Sequence, residues 1–464
     1  MKISIQIRID HEDGQSIITK PVAEFRRESL VTNTLGLTLT ESKSMLQNVQ
    51  SELAQQQVEK HVREHRICKD CSKYQQTKDH HKLVYRTLFG KLTLKSPRLY
   101  ACLCTKRDKK SISPLASVLS ERISPELQFL QTKWASLVSY GMTSSILEEV
   151  LPIQSNVSSI VATTHKIAER LDSEIQEVQF DYGSQNQRDK LPYPDSPLTV
   201  GIDGGYIHAR EGKNRKAGWF EAIVGKSLQD EKPSKRFGFV CKYDNKPKSR
   251  LNTMLQKQGL QMNQDITFLS DGGDTVRNLQ TFISPQSEHI LDWFHITMKI
   301  TVMRQTIKGL DKKDRDDLDE QMESIKWNIW HGNVDKVLDK IESFCEEIEC
   351  QDLDNGNKKH SLKKWAEEFY IYIKSNQHLI PNYAERYRHN EIISTSFVES
   401  TVNEVISKRM SKKQQMRWTK EGAHKMIQTR ISALNDELKD AFCNWYPSML
   451  ENNNENILTS SPHF

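Results

Sequence analysis

Alternation of apolar and polar residues predicts a pair of strands at the start of the chain. Isoleucine occupies every second position in residues 3–9, and the Asp-Gly that follows is typical of a tight turn before SIITK. Residues 40–65 then show the pattern of a polar amphipathic helix without glycine or proline. Residues 1–65 are therefore predicted to form a β-hairpin and one long helix.

Cysteines dominate the next region, residues 66–110. They form two close pairs, Cys68-x-x-Cys71 and Cys102-x-Cys104. This is nearly the paired-knuckle spacing of a zinc ribbon, and KLVYRTL and KLTLKSPRLY between the pairs alternate as a strand pair does. Because the second pair has one intervening residue instead of two, His80 or His81 is an alternative ligand. Four reduced thiols in a small core are the alternative to a structural Zn²⁺ site.

Helical periodicity returns in residues 124–172, in two tracts separated by a short break at 152–155. Each tract begins near a Ser, Thr or Asn that can cap free backbone N–H groups. We therefore predict a DNA-binding helix-turn-helix within residues 111–185, with the second helix as the recognition helix. Two helices that simply pack in a connector are the alternative. The three prolines of QNQRDKLPYPDSPL then predict a linker.

Beyond the linker, the pattern predicts three strands in succession and then alternating helices and strands. The predicted strands are LTVGID, GWFEAIVG, KRFGFVCKY, DITFLSD and EHILDWF. This order gives an α/β protein with a mixed sheet flanked by helices, as in the RNase H-like fold. Residues 311–390 show helical periodicity without a strand signal. We expect an all-helical insertion there, dividing the core into residues 198–310 and 391–450.

Composition limits the class of protein. A chain of 464 residues is too long for one hydrophobic core, so several domains are expected. Lys+Arg 66 against Asp+Glu 61 gives a net charge of only +5, so the distribution of charge matters more than its total. The N-terminus lacks the apolar segment of a signal peptide, and no stretch approaches the ~20 apolar residues of a membrane span. We expect a soluble cytoplasmic protein with no membrane partner.

Two of the predicted strands end in an aspartate that is followed by two glycines. LTVGI leads to Asp203 and ITFLS to Asp271, and neighbouring strand ends can bring two carboxylates to one cation. Glu399, near the start of a predicted helix, is the candidate third carboxylate. An all-carboxylate set favours Mg²⁺ or Mn²⁺, and two such ions about 3.5–4 Å apart would support phosphodiester displacement. A plain turn after each strand is the alternative, and the neighbouring acids Asp274 and Glu404 leave the assignment open.

A family resemblance rests on four blocks, IDGGY, LSDGGDTVR, LDWFHI and SFVESTVNEVISKR. They resemble the motifs of bacterial insertion-sequence transposases of the DDE type with an RNase H-like core, over residues of about 198–430. The resemblance implies a nucleoid-associated enzyme that binds the terminal inverted repeats of its element and joins them to target double-stranded DNA. A homodimer or larger assembly is expected, since two ends must be joined. Zinc ribbons also precede the core in such transposases.

One further block, Asp292-Trp293-Phe294-His295, resembles the Asp/Cys-x-x-His string of related transposases, including mutator-like ones. The resemblance implies a site-supporting role for His295 in catalysis. A structural histidine packed by Trp293 is the alternative. Two rival functions share many of these features: another RNase H-like nuclease, and a non-catalytic transposase-derived DNA-binding protein.

Two basic runs are candidate DNA-binding surfaces. The first lies among the cysteines, where few acidic residues occur, and would make DNA binding salt-dependent. The second follows the helix predicted to carry the third carboxylate. Its candidate DNA-binding residues are Lys408, Arg409, Lys412, Lys413 and Arg417. A solvated basic helix is the alternative for this run.

Overall fold

The computed structural model describes residues 1–11, 15–68, 70–102, 104, 111–176, 195–210, 218–261, 263–310, 312–350, 356–411 and 416–449. The chain divides into two compact units: one comprises Met1–Ile167 and Asp436–Phe464, and the other Ala168–Asn435. The predicted linker at 185–198 lies mostly outside the described residues. Among the helices described, none has the length and apolar character needed to cross a membrane.

The N-terminal unit begins with a strand pair and a long helix. β1 (Lys2–His11) pairs antiparallel with β2 (Gln15–Arg26), and α1 (Leu39–Glu64) follows. Thr38 and Glu41 form a capping box, in which each side chain accepts the other residue's backbone N–H, so α1 begins where the sequence places its first turn. The predicted hairpin and helix are confirmed.

A second small sheet follows α1. β3 (Thr77–Thr87) pairs antiparallel with β4 (Gly90–Tyr100), and β5 (Ser111–Ile112) adds a short third strand before α2 (Pro114–Val118). Leucines on one face of this sheet pack against α2 and the apolar positions of α1. The alternation of apolar and basic residues that predicts a strand pair therefore reflects one buried face and one solvated face.

Three helices complete the part of this unit that precedes the second unit. They are α3 (Pro125–Leu137), α4 (Tyr140–Val150) and α5 (Val157–Ser173), and the unit boundary falls within α5. The break between α4 and α5 is fixed by the Ser144 hydroxyl, which donates to the Ser155 carbonyl at 2.8 Å. The two predicted helical tracts are thus helices, and their assignment as a helix-turn-helix stays a prediction.

The C-terminal helix, Leu438–Trp445, belongs to the N-terminal unit. Phe442 packs edge-on against Phe129 at 5.4 Å, and the Tyr446 hydroxyl donates to Glu121 at 2.9 Å. The sequence expectation assigned 391–450 to the sheet-containing core. The structure corrects its last part, because the apolar side of this helix is buried against α3.

The second unit contains a five-stranded mixed sheet. Its strands are β6 (Leu198–His208), β7 (Trp219–Gln229), β8 (Lys232–Val240), β9 (Ile266–Ser270) and β10 (Glu288–Leu291). The order across the sheet is β10-β9-β6-β7-β8, with β6, β7 and β8 antiparallel and β6, β9 and β10 parallel. All five predicted strands are confirmed, and the chain is a mixed α/β protein.

Helices that connect the later strands cover one face of this sheet. α6 (Pro247–Gln258) precedes β9, and α7 (Asp274–Ile283) lies between β9 and β10. Leucines and Met254 of these helices are buried against Val200, Ile202 and Phe268. Gly259, with a φ of +93°, ends α6 in the left-handed conformation that favours glycine.

After β10 the chain becomes helical. The helices are α8 (Trp293–Ile307), α9 (Lys312–Trp330), α10 (Val334–Cys350), α11 (Gly356–Ser375) and α12 (Tyr383–Arg388). Their apolar residues form one buried cluster that also includes Ile290 and Leu291 of β10. The described residues from 312 to 350 and from 356 to 388 are therefore mainly helical, as their periodicity predicts, and their core is continuous with the edge of the sheet.

The chain then returns to the sheet. α13 (Ser396–Val402) continues as a π-helix (Asn403–Ser411), and α14 (Lys420–Leu434) follows it. α13 packs on β6 and β7, and α14 packs on β8. These helices cover the face of the sheet opposite α6 and α7. Gly201 approaches Val398 and Gly238 approaches Ile431, whereas the adjacent strand residues, which point to the other face, pack against α6 and α7.

Candidate functional site

The two aspartates predicted at strand ends lie on adjacent parallel strands, but only Asp271 directly follows its strand, β9. Asp203 lies within β6, which continues to His208. Gly201 of β6 is opposite Leu269 of β9, so the same register brings Asp203 level with Asp271. Each carboxylate accepts a hydrogen bond from a following glycine N–H, 2.7 Å from Gly204 to Asp203 and 3.0 Å from Gly273 to Asp271. The carboxyl ends of strands in an open α/β sheet are a frequent ligand-binding edge. The structure therefore brings these two residues together at such an edge.

A third aspartate follows the next strand of the sheet. Ser270 is opposite Leu291, so Asp292 lies level with Asp271, and the Asp292 N–H donates to the Ser270 carbonyl at 2.8 Å. Asp292 is fully buried. On sequence alone, Asp292 is part of a motif block but is not predicted as a site residue. Its position directly after the strand EHIL, like that of Asp271 after ITFLS, is the signal that could have identified it.

Asp292 holds the imidazole of His295 toward the strand ends. The Asp292 carboxylate lies 2.6 Å from His295 Nδ1, and His295 Nε2 lies 3.9 Å from Asp203 Oδ1. The hydrogen bond to Asp292 raises the pKa of His295, and the negative charges of Asp203 and Asp271 act in the same direction. His295 is therefore a partly exposed neighbour of Asp203 whose protonated form these carboxylates favour, and not a histidine enclosed in the apolar core.

Burial controls the protonation of Asp203. Its side chain is 14% exposed, and desolvation raises its pKa. His295 and the Gly204 N–H oppose that rise, while the charges of Asp271 and Asp292 add to it. A partly buried carboxylate beside two others is a group that a cation would stabilise.

Glu399 lies on the helix that covers this part of the sheet. A methyl group at Gly201 would overlap Val398 and Phe397, and one at Gly205 would press on Val402. Since Gly201, Asp203 and Gly205 share one face of β6, the face that carries Asp203 is the face that α13 covers. Glu399 is in the first turn of α13 and its side chain is exposed.

The three predicted carboxylates are not gathered at ligand distance. Among the residues described, the one group of candidate ligands whose donor atoms all lie within 4.8 Å of one another is the cysteine cluster. Of the alternative acids, Asp274 is exposed in the first turn of α7, and Glu404 accepts a 2.9 Å hydrogen bond from Arg236 Nε. The ion pair with Arg236 directs the Glu404 carboxylate to a different partner.

The cysteine cluster consists of Cys68, Cys71, Cys102 and Cys104. Sulfur–sulfur distances are 3.4 Å for Cys68–Cys104 and 3.2 Å for both Cys71–Cys102 and Cys102–Cys104. Tetrahedral zinc with Zn–S bonds of about 2.3 Å needs sulfurs roughly 3.8 Å apart, so a small expansion accommodates the ion. These four thiols can bind a structural Zn²⁺, and neither histidine alternative belongs to the group.

Backbone groups prepare one of these thiols for metal binding. Hydrogen bonds from the backbone at Cys71 and Asp70 lower the pKa of Cys68 to about 6. A metal-binding cysteine acts as a thiolate, and N–H groups aimed at the sulfur stabilise that form. The Cys-x-x-Cys turn therefore has the local geometry of a metal-binding knuckle.

Only some residues of the second basic run are exposed to solvent. Lys408 and Arg417 are exposed, whereas Lys412 and Lys413 lie outside the described residues. Arg409 is fully buried, with its guanidinium 5.1 Å from the centroid of the Trp418 ring. Packing against Trp418 therefore removes Arg409 from solvent, and its assignment to DNA binding stays a prediction.

Comparison with models of known protein families found no match. A comparison with curated proteins likewise found no significantly similar sequence. The function of the site is therefore inferred from its own residues.

Proposed function

We propose that the protein is a DDE-type transposase with an RNase H-like catalytic core. The observation that carries this proposal is the alignment of Asp203, within β6, with Asp271, which directly follows the adjacent parallel strand β9, on the sheet whose α13-covered face carries Asp203. Three antiparallel strands in succession, followed by two parallel strands with a helix before each, support the assignment of the core. The helical segment before α13 supports an inserted domain between Asp271 and Glu399.

The donor set fits Mg²⁺ or Mn²⁺. Asp203 and Asp271 would hold the ions through hard carboxylate oxygens, and Glu399 would complete the set. When bound, such ions supply an activated nucleophile and stabilise the leaving oxygen of a phosphodiester. Glu399 is exposed on a helix in contact with β6, so its side chain would have to turn toward Asp203 and Asp271 when the ions bind.

The chain's own residues would position this site. Asp292 fixes the ring of His295, and His295 Nε2 faces Asp203. We assign His295 the role of holding Asp203 in place and balancing its charge until cations bind. Burial of Asp292 beneath the site keeps this interaction away from competing water.

DNA binding would come mainly from the N-terminal unit. Zinc held by the four cysteines would fix the turn before β3 to the segment after β4. α4 and α5 would act as the helix-turn-helix, and exposed cations such as Lys408 and Arg417 would bind phosphates in the catalytic unit. A homodimer or larger assembly would bring two element ends together.

A strand-joining assay tests this proposal. Purified protein is incubated with Mg²⁺, a target plasmid and pre-cleaved duplexes taken from the DNA that flanks its coding region. A transposase joins the 3′-hydroxyl ends to the plasmid. An RNase H-like nuclease cuts DNA without joining, and a non-catalytic DNA-binding descendant shifts the duplexes without changing them; either result contradicts the proposal.

A further inference from the structure

Positive charge accumulates on one face of the β3–β4 hairpin. Lys82 is directly opposite Lys95, and Arg86 is directly opposite Lys91. All four are exposed, and within the described part of the chain none of them forms an ion pair. Like charges directly opposite on a strand pair destabilise it. The arrangement therefore favours an anionic partner over this face.

The end of this face near the hairpin tip opens into a groove. The groove has a volume of about 690 Å³ and includes Arg86 and Lys91 of the hairpin, Lys43 of α1 and the break between α4 and α5. We call it the hairpin–turn groove. Lys43 Nζ donates to the Glu148 and Glu149 carbonyls at 2.9 and 2.6 Å, which holds its ammonium at the groove wall.

The N-terminus of α5 lies at the same groove. Asn156 and Ser159 line it, and the Asn156 side chain accepts the Ser159 N–H at 2.7 Å, so this end of the helix is well formed. A helix of 17 residues carries a partial positive charge at its N-terminus, which favours an anion there.

A buried amide in the groove lacks a hydrogen-bond partner. Gln131 of α3 is 3% exposed and lines the groove, and its Oε1 has no partner among the described residues. Buried polar side chains are nearly always hydrogen-bonded. The Gln131 side chain also has an NH₂ donor, from which a phosphate oxygen in the groove would accept a hydrogen bond, whereas Oε1 itself needs a donor such as water.

The balance of charge in the groove is positive. Its carboxylate is Glu148, which accepts the Ser155 N–H at 2.9 Å and so stabilises the α4–α5 break. Arg86, Lys91 and the N-terminus of α5 outweigh this single acid, whereas the Lys43 ammonium offsets the carbonyl end of α4. The ligand of the groove must therefore carry negative charge. It must also be able to extend from the groove along the basic face of the hairpin.

We infer that the hairpin–turn groove binds a backbone phosphate of double-stranded DNA. The inference rests on the proposed function and states where DNA binds: the β3–β4 hairpin and the α4–α5 break both contact one DNA strand. The basic hairpin face would carry the neighbouring phosphates. Interactions of this kind set the register of a protein on DNA without reading its sequence.

The salt dependence of DNA binding tests the inference. Fluorescence anisotropy of a fluorescein-labelled DNA duplex gives the dissociation constant at several NaCl concentrations. Arg86→Ala/Lys91→Ala should lower the slope of log affinity against log salt by about 2, roughly one for each phosphate that is no longer neutralised. The control Arg8→Ala/Lys60→Ala removes an exposed arginine and an exposed lysine of the same unit outside the groove, and should leave the slope unchanged.

Further variants separate charge from folding. Arg86→Lys/Lys91→Arg keeps both charges and should keep the slope. Gln131→Glu places a carboxylate in the groove and should weaken DNA binding more than Gln131→Met, with thermal unfolding recorded for both. An unchanged slope in Arg86→Ala/Lys91→Ala, or an equal loss in the control, overturns the inference.

Separate measurements distinguish two other results: a free polyanion as the ligand of the groove, and failure of the proposed function. Calorimetric titration with tripolyphosphate tests a free polyanion as the ligand. Tripolyphosphate binding that Arg86→Ala/Lys91→Ala abolishes, together with an unchanged DNA slope, would overturn the assignment to DNA. Failure of the proposed function looks different: the wild-type protein would neither cleave nor join DNA, whereas failure of the groove leaves joining intact and the slope unchanged.

Discussion

Asp292 accepts two hydrogen bonds from Thr395, one from its backbone N–H at 2.9 Å and one from its hydroxyl. The Thr395 carbonyl in turn accepts the N–H of Glu399 at 2.9 Å. A strand-end aspartate thus fixes the first turn of the helix that carries Glu399, although the helical segment separates them in sequence. The buried Asp292 therefore links the two halves of the proposed site.

Replacing Asp292 by Asn should damage both stability and the site. The carboxylate accepts hydrogen bonds from Phe294, Thr395 and His295, and an amide has only one accepting oxygen. We expect a loss of about 1–3 kcal/mol in the free energy of unfolding, measured by urea denaturation. Asp274→Asn, at an exposed acid, is the control and should be neutral. Wild-type stability in Asp292→Asn would contradict the role given to it.

Gly201→Ala tests the packing of α13 on β6. The added methyl group would overlap Val398 and Phe397 side chains, so we expect a loss of about 1–3 kcal/mol in unfolding free energy. Gly141→Ala is the control, because nothing lies within 4 Å of the added methyl group in helix α4. That variant should be neutral or gain about 0.5–1 kcal/mol. Equal effects of the two substitutions would argue against a close approach of α13.

Metal analysis tests the cysteine cluster. Protein purified without chelator should contain one zinc per chain by mass spectrometry, and Cys102→Ser/Cys104→Ser should lose it together with thermal stability. Cys345→Ser, at a cysteine outside the cluster, should retain the metal. Wild-type protein without zinc would identify the cluster as four thiols in a small core.

Arg409 and Arg417 should respond differently to removal. Arg409→Ala should lower the unfolding free energy by about 1–2 kcal/mol, since it deletes a buried cation packed on Trp418. Arg417→Ala should leave stability unchanged and lower the salt slope of DNA binding by about 1. The reverse assignment, with Arg409 controlling the salt slope, would show that this helix opens when DNA binds.

Local pattern predicted most of the elements of this fold. Short apolar runs located the five strands of the large sheet, because strands that are buried on both faces are nearly continuously hydrophobic. The position of Asp271 could be predicted because it directly follows β9, whereas the predicted strand end at Asp203 was wrong, since β6 continues to His208.

Long-range packing accounts for what the sequence did not predict. Burial of Arg409 depends on Trp418 after an intervening loop, and the placement of the helix from Leu438 depends on Phe129, far earlier in the chain. Periodicity reports which face of a helix is apolar but not which element will cover it. The hydrogen bonds between Asp292 and Thr395 also join residues that are far apart in the sequence, so local periodicity could not predict them.

DNA cleavage by carboxylate variants tests the central claim most directly. Asp203→Asn, Asp271→Asn and Glu399→Gln are compared with the control Asp274→Asn, using Mg²⁺ and a plasmid that carries the DNA flanking the coding region. The account predicts that each of the first three abolishes strand cleavage while DNA binding is retained, and that Asp274→Asn cleaves as wild type. Full cleavage by Asp203→Asn or Asp271→Asn would contradict the proposed metal site.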